Sequence, residues 1–132
     1  MTLTRLAAFA VVLFAAIPAR AQATNCAAAQ TQTDMNSCAA QQYQKSDAAL
    51  NQVYDQLKAK LSDPKEQALL VAAEHAWIAY RDGECAFEIN EAAGGSIYPM
   101  VQAMCLNNIT LVHTAELTRQ LNCKEGDSSC VH

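Results

Sequence analysis

The stretch Trp77-Ile78-Ala79-Tyr80-Arg81-Asp82-Gly83-Glu84-Cys85, read against Asp47-Ala48-Ala49-Leu50-Asn51-Gln52-Val53-Tyr54, decides the fold. Tyr43, Asp47, Leu50, Tyr54, Leu57 and Leu61 step by three or four residues, which draws one face of a helix. Leu70, Ala73, Trp77, Arg81 and Glu84/Cys85 draw a second such face. In both, an ionisable residue falls on the apolar side. A carboxylate and a guanidinium in facing seams are expected to pair, because either alone is costly to bury. Asp47, Asn51 and Arg81 are therefore expected to form a polar layer that fixes helix register, with Tyr54 and Tyr80 beside it.

From these two faces the helices extend outward. The first is expected at about 33–61. Asp63-Pro64-Lys65-Glu66 then reads as a helix start, with Asp as N-cap, Pro at the first helical position and Glu at the third. The second helix runs over about 64–90, carrying Leu69, Leu70, Ala73, Ala76, Trp77 and Tyr80. Ala92-Ala93-Gly94-Gly95-Ser96 breaks the pattern. The third helix covers about 97–121 and is expected to bury Met100, Met104, Leu111, Ala115 and Leu117. Nothing alternates with period two, so no strand is expected. Short connections imply antiparallel neighbours. The fold class is all-α, a small antiparallel three-helix bundle stapled by disulfides.

Length and composition bound the rest. The 132 residues hold one domain. Arg5, the apolar run Leu6 to Ile17 and the small-residue sites ending at Ala21 and Ala23 have the form of a signal peptide over 1–23, leaving one domain over 24–132. The run is too short to span a bilayer, and Ala23-Thr24-Asn25-Cys26 lacks a lipoprotein acceptor pattern. No membrane insertion is expected, and the location is periplasmic or secreted. The full chain has 9 basic and 13 acidic residues, net −4; removal of Arg5 and Arg20 makes it about −6. No basic stripe exists for nucleic acid. An acidic body favours encounter with basic partners.

All six cysteines (Cys26, Cys38, Cys85, Cys105, Cys123 and Cys130) follow the expected leader's end, an even number in an exported chain, which predicts three disulfides. No Cys-x-x-Cys pair suggests a metal. In the hairpin centred near Gly94, Cys85 lies nine residues before and Cys105 eleven after, so these two should meet. Cys123 and Cys130 flank a segment able to turn back, which leaves Cys26 with Cys38. Cys38 also lies level with Cys85, so a swapped arrangement of these four stays open.

Sites for chemistry are scarce. His75, His113 and His132 make no metal-binding pair on one helical face. Ser96 lacks a nucleophile elbow, and no phosphate loop is present. Asp82, Glu84 and Glu88 are spaced as solvated helix acids and imply no cleft for glycoside hydrolysis. No catalytic residue, cofactor or metal is expected.

The pattern Asp-x-x-Leu-Asn-x-x-Tyr followed by Trp-x-x-Tyr-Arg-Asp-x-x-Cys resembles the LprI-type lysozyme inhibitor family of small exported bacterial domains. The matching positions are spread from Cys26 to Cys105 and include Cys26, Met35, Cys38, Gly95 and Ser96. The resemblance implies a protein partner such as a lysozyme, and no enzymatic activity. Two departures stand out. The family commonly has an arginine three after a threonine in its last helix, where this chain has His113 after Thr110. Cys123 and Cys130 add to the usual four cysteines.

The candidate contact surface is the loop carrying Gly95, Ser96 and Tyr98, since glycine permits close backbone approach and tyrosine is a rigid amphipathic anchor. A structural reading of the same residues has the glycines serving the turn, Ser96 capping the third helix and Tyr98 packing inward. Three function classes follow: a lysozyme-binding inhibitor, an envelope adaptor or immunity module for another partner, and a cell-wall enzyme for which no constellation exists.

Overall fold

Thr31 starts the first helix by a reciprocal cap: its Oγ1 accepts from the Asp34 backbone N–H at 3.1 Å and donates to Asp34 Oδ2 at 2.7 Å. The computed structural model describes residues 25–124, 126–128 and 130; the expected signal peptide lies outside them. Helix α1 spans Gln32–Lys60, α2 spans Pro64–Glu88 and α3 spans Tyr98–Leu121, with short 3₁₀ turns at Cys26–Ala28 and Asn90–Ala92. No strand occurs among the described residues. The second helix begins as its sequence dictates, with Asp63 Oδ1 accepting from Lys65 N–H at 2.8 Å and Pro64 in the first turn.

Helix order is fixed by contacts between ends. Lys60 Nζ donates to the Leu121 carbonyl at 3.0 Å, and Asn36 Nδ2 donates to the Ser96 carbonyl at 3.0 Å. Matching ends of α1 and α3 therefore meet, and the two run parallel. The second helix runs against both. Consecutive helices are antiparallel, as expected, but the closest backbone approach is between the non-consecutive α1 and α3.

That approach explains why the inward face of α3 differs from the expected one. Met104 and Leu111 are about half exposed, and Ala115 is exposed. Leu117 is buried as expected, and Ala103, Cys105 and Thr110 are buried in place of the others. On α1 the buried set includes Ala39 and Ser46. Two helices come close only where side chains are small, so size selects the contact stripe over hydrophobicity. Ser46 Oγ is satisfied by the Tyr43 carbonyl at 2.9 Å. On α2, Leu69, Ala73, Ala76 and Tyr80 are exposed, contrary to the broad apolar face expected.

The apolar interior has two parts. One is built on Leu50, Leu57 and Leu117, with Val53, Tyr54, Leu70, Trp77 and Leu121 packed around them. The other is built on Cys85, Ile89 and Cys105, with Tyr98, Val101, Leu106 and Ile109. Disulfides join Cys26 to Cys38, Cys85 to Cys105 and Cys123 to Cys130, and no described cysteine is free. The swapped arrangement does not form.

Candidate functional site

Between the two apolar parts lies a polar and aromatic layer. Arg81 sits on α2 with its side chain 10% exposed. Its Nε and one terminal nitrogen both lie 2.9 Å from Asp82 Oδ1, while the other terminal nitrogen is 3.6 Å from Asp47 Oδ1. The guanidinium also lies over the rings of Tyr43 and Trp77, at 5.7 and 5.1 Å from their centroids. Asn51 Nδ2 donates to Asp47 Oδ2 at 3.2 Å. The expected trio is thus brought together.

Its burial is one-sided, which corrects the picture of two charges in facing seams. Asp47 is 40% exposed and Asp82 56%. On α1 it is Ser46 and Leu50 that point inward, so Asp47 stands at the rim of the seam. The buried cation is neutralised by carboxylates that keep contact with water, and its faces are covered by aromatic rings. Tyr80 is exposed and outside this layer, whereas Tyr54 lines one cleft with Asp47, Asn51 and Arg81 as expected and also packs on the leucine cluster, with Lys58 over its ring. Burial raises the Tyr43 phenol above its ordinary value of 10.0, against the lowering effect of Arg81.

The layer continues on α3 through His113, which the sequence marks only as an unpaired metal-ligand candidate and as a departure from the family pattern. His113 stacks on Trp77 with ring centroids 4.1 Å apart, and its Nε2 lies 2.8 Å from Glu74 Oε2. Both side chains are largely buried. The residue that departs from the family pattern thus places a planar ring on Trp77 beside the Glu74 carboxylate and forms part of the layer. The available signal was the i, i+3 spacing of Glu74 and Trp77 on the inward side of α2. An open groove of about 490 Å³ runs outside this layer, lined by Trp77, Tyr80, Asn108, Val112 and Glu116 among others.

The loop before α3 is ordered by its own hydrogen bonds and by α1. Gly94 has φ +78°, a conformation that side-chain-bearing residues rarely adopt. At Gly95 a Cβ would lie 3.2 Å from the Ala92 carbonyl oxygen, so the turn is drawn tightly there. Gly95 N–H donates to that carbonyl, Tyr98 N–H donates to the Gly95 carbonyl, and Asn36 holds the Ser96 carbonyl. Gly95 and Ser96 are exposed, and Ile97 is 42% exposed. Tyr98 is half-buried against the Cys85–Ile89–Cys105 cluster. Ile97 occupies the cap position of α3 without a side-chain bond, so Ser96 is not the cap.

Among the described residues, one grouping has metal-ligand geometry, Cys123 with Asp127 and Cys130. Its sulfurs are joined in a disulfide and cannot serve as thiolates. No described helix is long and apolar enough to cross a membrane.

With this geometry in place, the profile of the family described as "Lysozyme inhibitor LprI" matches residues 23–117. The chain belongs to the LprI family. The match takes in all three helices up to Leu117, both cross-braced disulfides, the polar layer and the loop. Cys123 and Cys130 fall beyond it. An uncharacterized protein of Rhizobium meliloti (strain 1021) is 35% identical over 133 residues, covering 90% of this chain and 96% of the relative. No solved structure matches significantly.

Proposed function

We propose that the protein is an exported, non-enzymatic LprI-family inhibitor that binds a lysozyme in the periplasm or outside the cell. The observation that carries this reading is the family match across residues 23–117. Three disulfides suit an oxidising compartment. The leader-like segment 1–23 would direct export and leave a domain over 24–132. An acidic chain approaching a basic enzyme gains association rate from its charge.

The contact surface in this proposal is the loop carrying Gly95, Ser96 and Tyr98. Its backbone is held in one shape by Gly94, Asn36 and the Cys85–Cys105 bridge, so little order has to be imposed on binding. Gly95 leaves the backbone accessible, Ser96 offers a hydroxyl, and Tyr98 supports the loop from below. Hydroxyl and backbone N–H donors suit the carboxylates of a lysozyme cleft.

A turbidity assay on a cell-wall suspension tests this directly. The protein alone should leave the suspension unchanged, and with lysozyme it should slow clearing saturably, less so at high salt. Ser96→Ala with Tyr98→Phe removes two hydroxyls while keeping the packed ring, and should weaken inhibition without shifting the thermal melt. Absence of inhibition against every lysozyme type would leave the alternative, an envelope adaptor or immunity module. Undiminished inhibition in the double variant would move the contact surface elsewhere.

A further inference from the structure

Near the start of α1 and α3 the fold gathers one donor type that the rest of the domain lacks. The chain has four methionines. Met1 begins the expected leader, and Met35, Met100 and Met104 all line a single open groove of about 250 Å³. Met100 and Met104 stand four residues apart on α3 and so share one face of it. Met35 comes from the first turn of α1, which the parallel pairing sets level with the start of α3. Gln32 Nε2 lies 3.9 Å from the Met100 sulfur, which therefore sits toward α1. The Cys26–Cys38 disulfide, two alanines and Gln42 complete the walls. None of these groups is charged. Met35 and Met100 are half-buried and Met104 is 49% exposed, so the three side chains are reached from solvent.

Methionine ordinarily fills gaps in a core, and here all three stand at an opening instead. A thioether is a neutral, soft donor, a poor ligand for calcium or magnesium and a good one for Cu(I). The Gln32 contact is long and leaves the Met100 sulfur a second lone pair to donate. The walls argue for the same class of ion. They carry no carboxylate, so nothing would compensate a divalent cation for its lost hydration. An oxidising compartment also closes the thiolate route, since every described cysteine is paired. The tail grouping of Cys123, Asp127 and Cys130 does not compete, its sulfurs being bonded to each other. We propose that Met35, Met100 and Met104 bind one soft monovalent cation of the Cu(I) class through their Sδ atoms. The site shares no residue with the loop carrying Gly95, Ser96 and Tyr98, and the inference holds whether or not the protein partner is a lysozyme.

The test uses the oxidised, purified protein with isotope-labelled methionine methyl groups followed by NMR, so it does not depend on inhibition. Silver nitrate in chloride-free buffer is the first probe, because Ag(I) is a redox-inert counterpart of Cu(I). Cu(I) delivered anaerobically from a competing chelator is the second, and zinc sulfate is the control. The methyl signals of Met35, Met100 and Met104 should move together, with one common midpoint, for Ag(I) and for Cu(I). They should stay in place with zinc. Each of Met35→Leu, Met100→Leu and Met104→Leu should weaken Ag(I) binding at least about tenfold, the scale on which even outer groups around a metal count. Leucine conserves the volume, so thermal melts should stay near the parent's. Separate midpoints for the three methyls, an equal response to zinc, undiminished affinity in the variants, or no shift in excess Ag(I) would each overturn the proposal. The shared midpoint on the parent protein decides the matter even where a variant fails to fold.

Discussion

The two apolar parts of this bundle are held by different physics. At one end, Leu50, Leu57 and Leu117 are nearly inaccessible and gather five further apolar side chains. That end is stabilised by area removed from water. At the loop end the innermost groups are the half-cystines Cys85 and Cys105 with Ile89. There a covalent bridge between α2 and α3 does what a larger apolar cluster would otherwise do. The difference teaches where a small chain can economise on side chains: an end closed by a disulfide is free to carry glycines and exposed polar residues, as this loop does.

The sharpest way to break the comparison is Leu57→Ala. Leu57 is 1% exposed, and its truncation should destabilise the fold by about 2–5 kcal/mol in urea melts. The joint replacement Cys85→Ala/Cys105→Ala should cost about 2–4 kcal/mol. The two losses should differ in kind. The leucine variant keeps its denatured state unchanged, whereas loss of the bridge frees a 20-residue separation in the unfolded chain. A disulfide variant with undiminished stability would show that the loop end has a sufficient core of its own.

The layer between the ends supplies a finer contrast. Arg81→Ala removes a buried side chain that covers two aromatic rings, and should cost about 1–3 kcal/mol. Asp47→Ala should cost less than about 1 kcal/mol, because that carboxylate is partly solvated and Asp82 remains on the guanidinium. Equal, large losses in chemical denaturation would mean that Asp47 carries the layer after all. The smallest effect concerns alkaline pH. The Tyr43 phenol is raised by burial, so the unfolded chain ionises first as pH climbs past about 10. Unfolded protein then holds fewer protons than folded, and stability falls through that range. Tyr43→Phe should remove part of this decline, read from urea melts at about pH 8 and about pH 11.

Most of the architecture was legible because its signals are local. Asp63-Pro64 fixes a helix start by capping geometry, Gly94-Gly95 fixes a turn, and the parity and heights of the cysteines favour the observed pairing while leaving a swap of Cys38 and its neighbours open. The inward face of α3 was not legible. Hydrophobicity points to Met104 and Leu111, yet the close parallel partner admits Ala103 and Thr110. Only the three-dimensional neighbour carries that information. The candidate site divides in the same way. Asp47, Asn51 and Arg81 stand out as polar residues on apolar stripes, while His113 becomes meaningful only beside Trp77 and Glu74. The degree of exposure of Asp47 depends on a small helix rotation that no spacing rule resolves.

The parallel pairing of α1 with α3 has a consequence for how the chain assembles. A helical hairpin forms from neighbours in sequence and needs little search. Here the tightest contact joins helices separated by the whole of α2, so the first hairpin can form without producing the main interface. Forming that interface requires closing a long loop, and such non-local closure slows folding. The Cys85–Cys105 bond draws the second hairpin together and so presents α3 to α1 as one limb of a pre-joined unit. A chain oxidised in that order would reach its native state by one docking event instead of two.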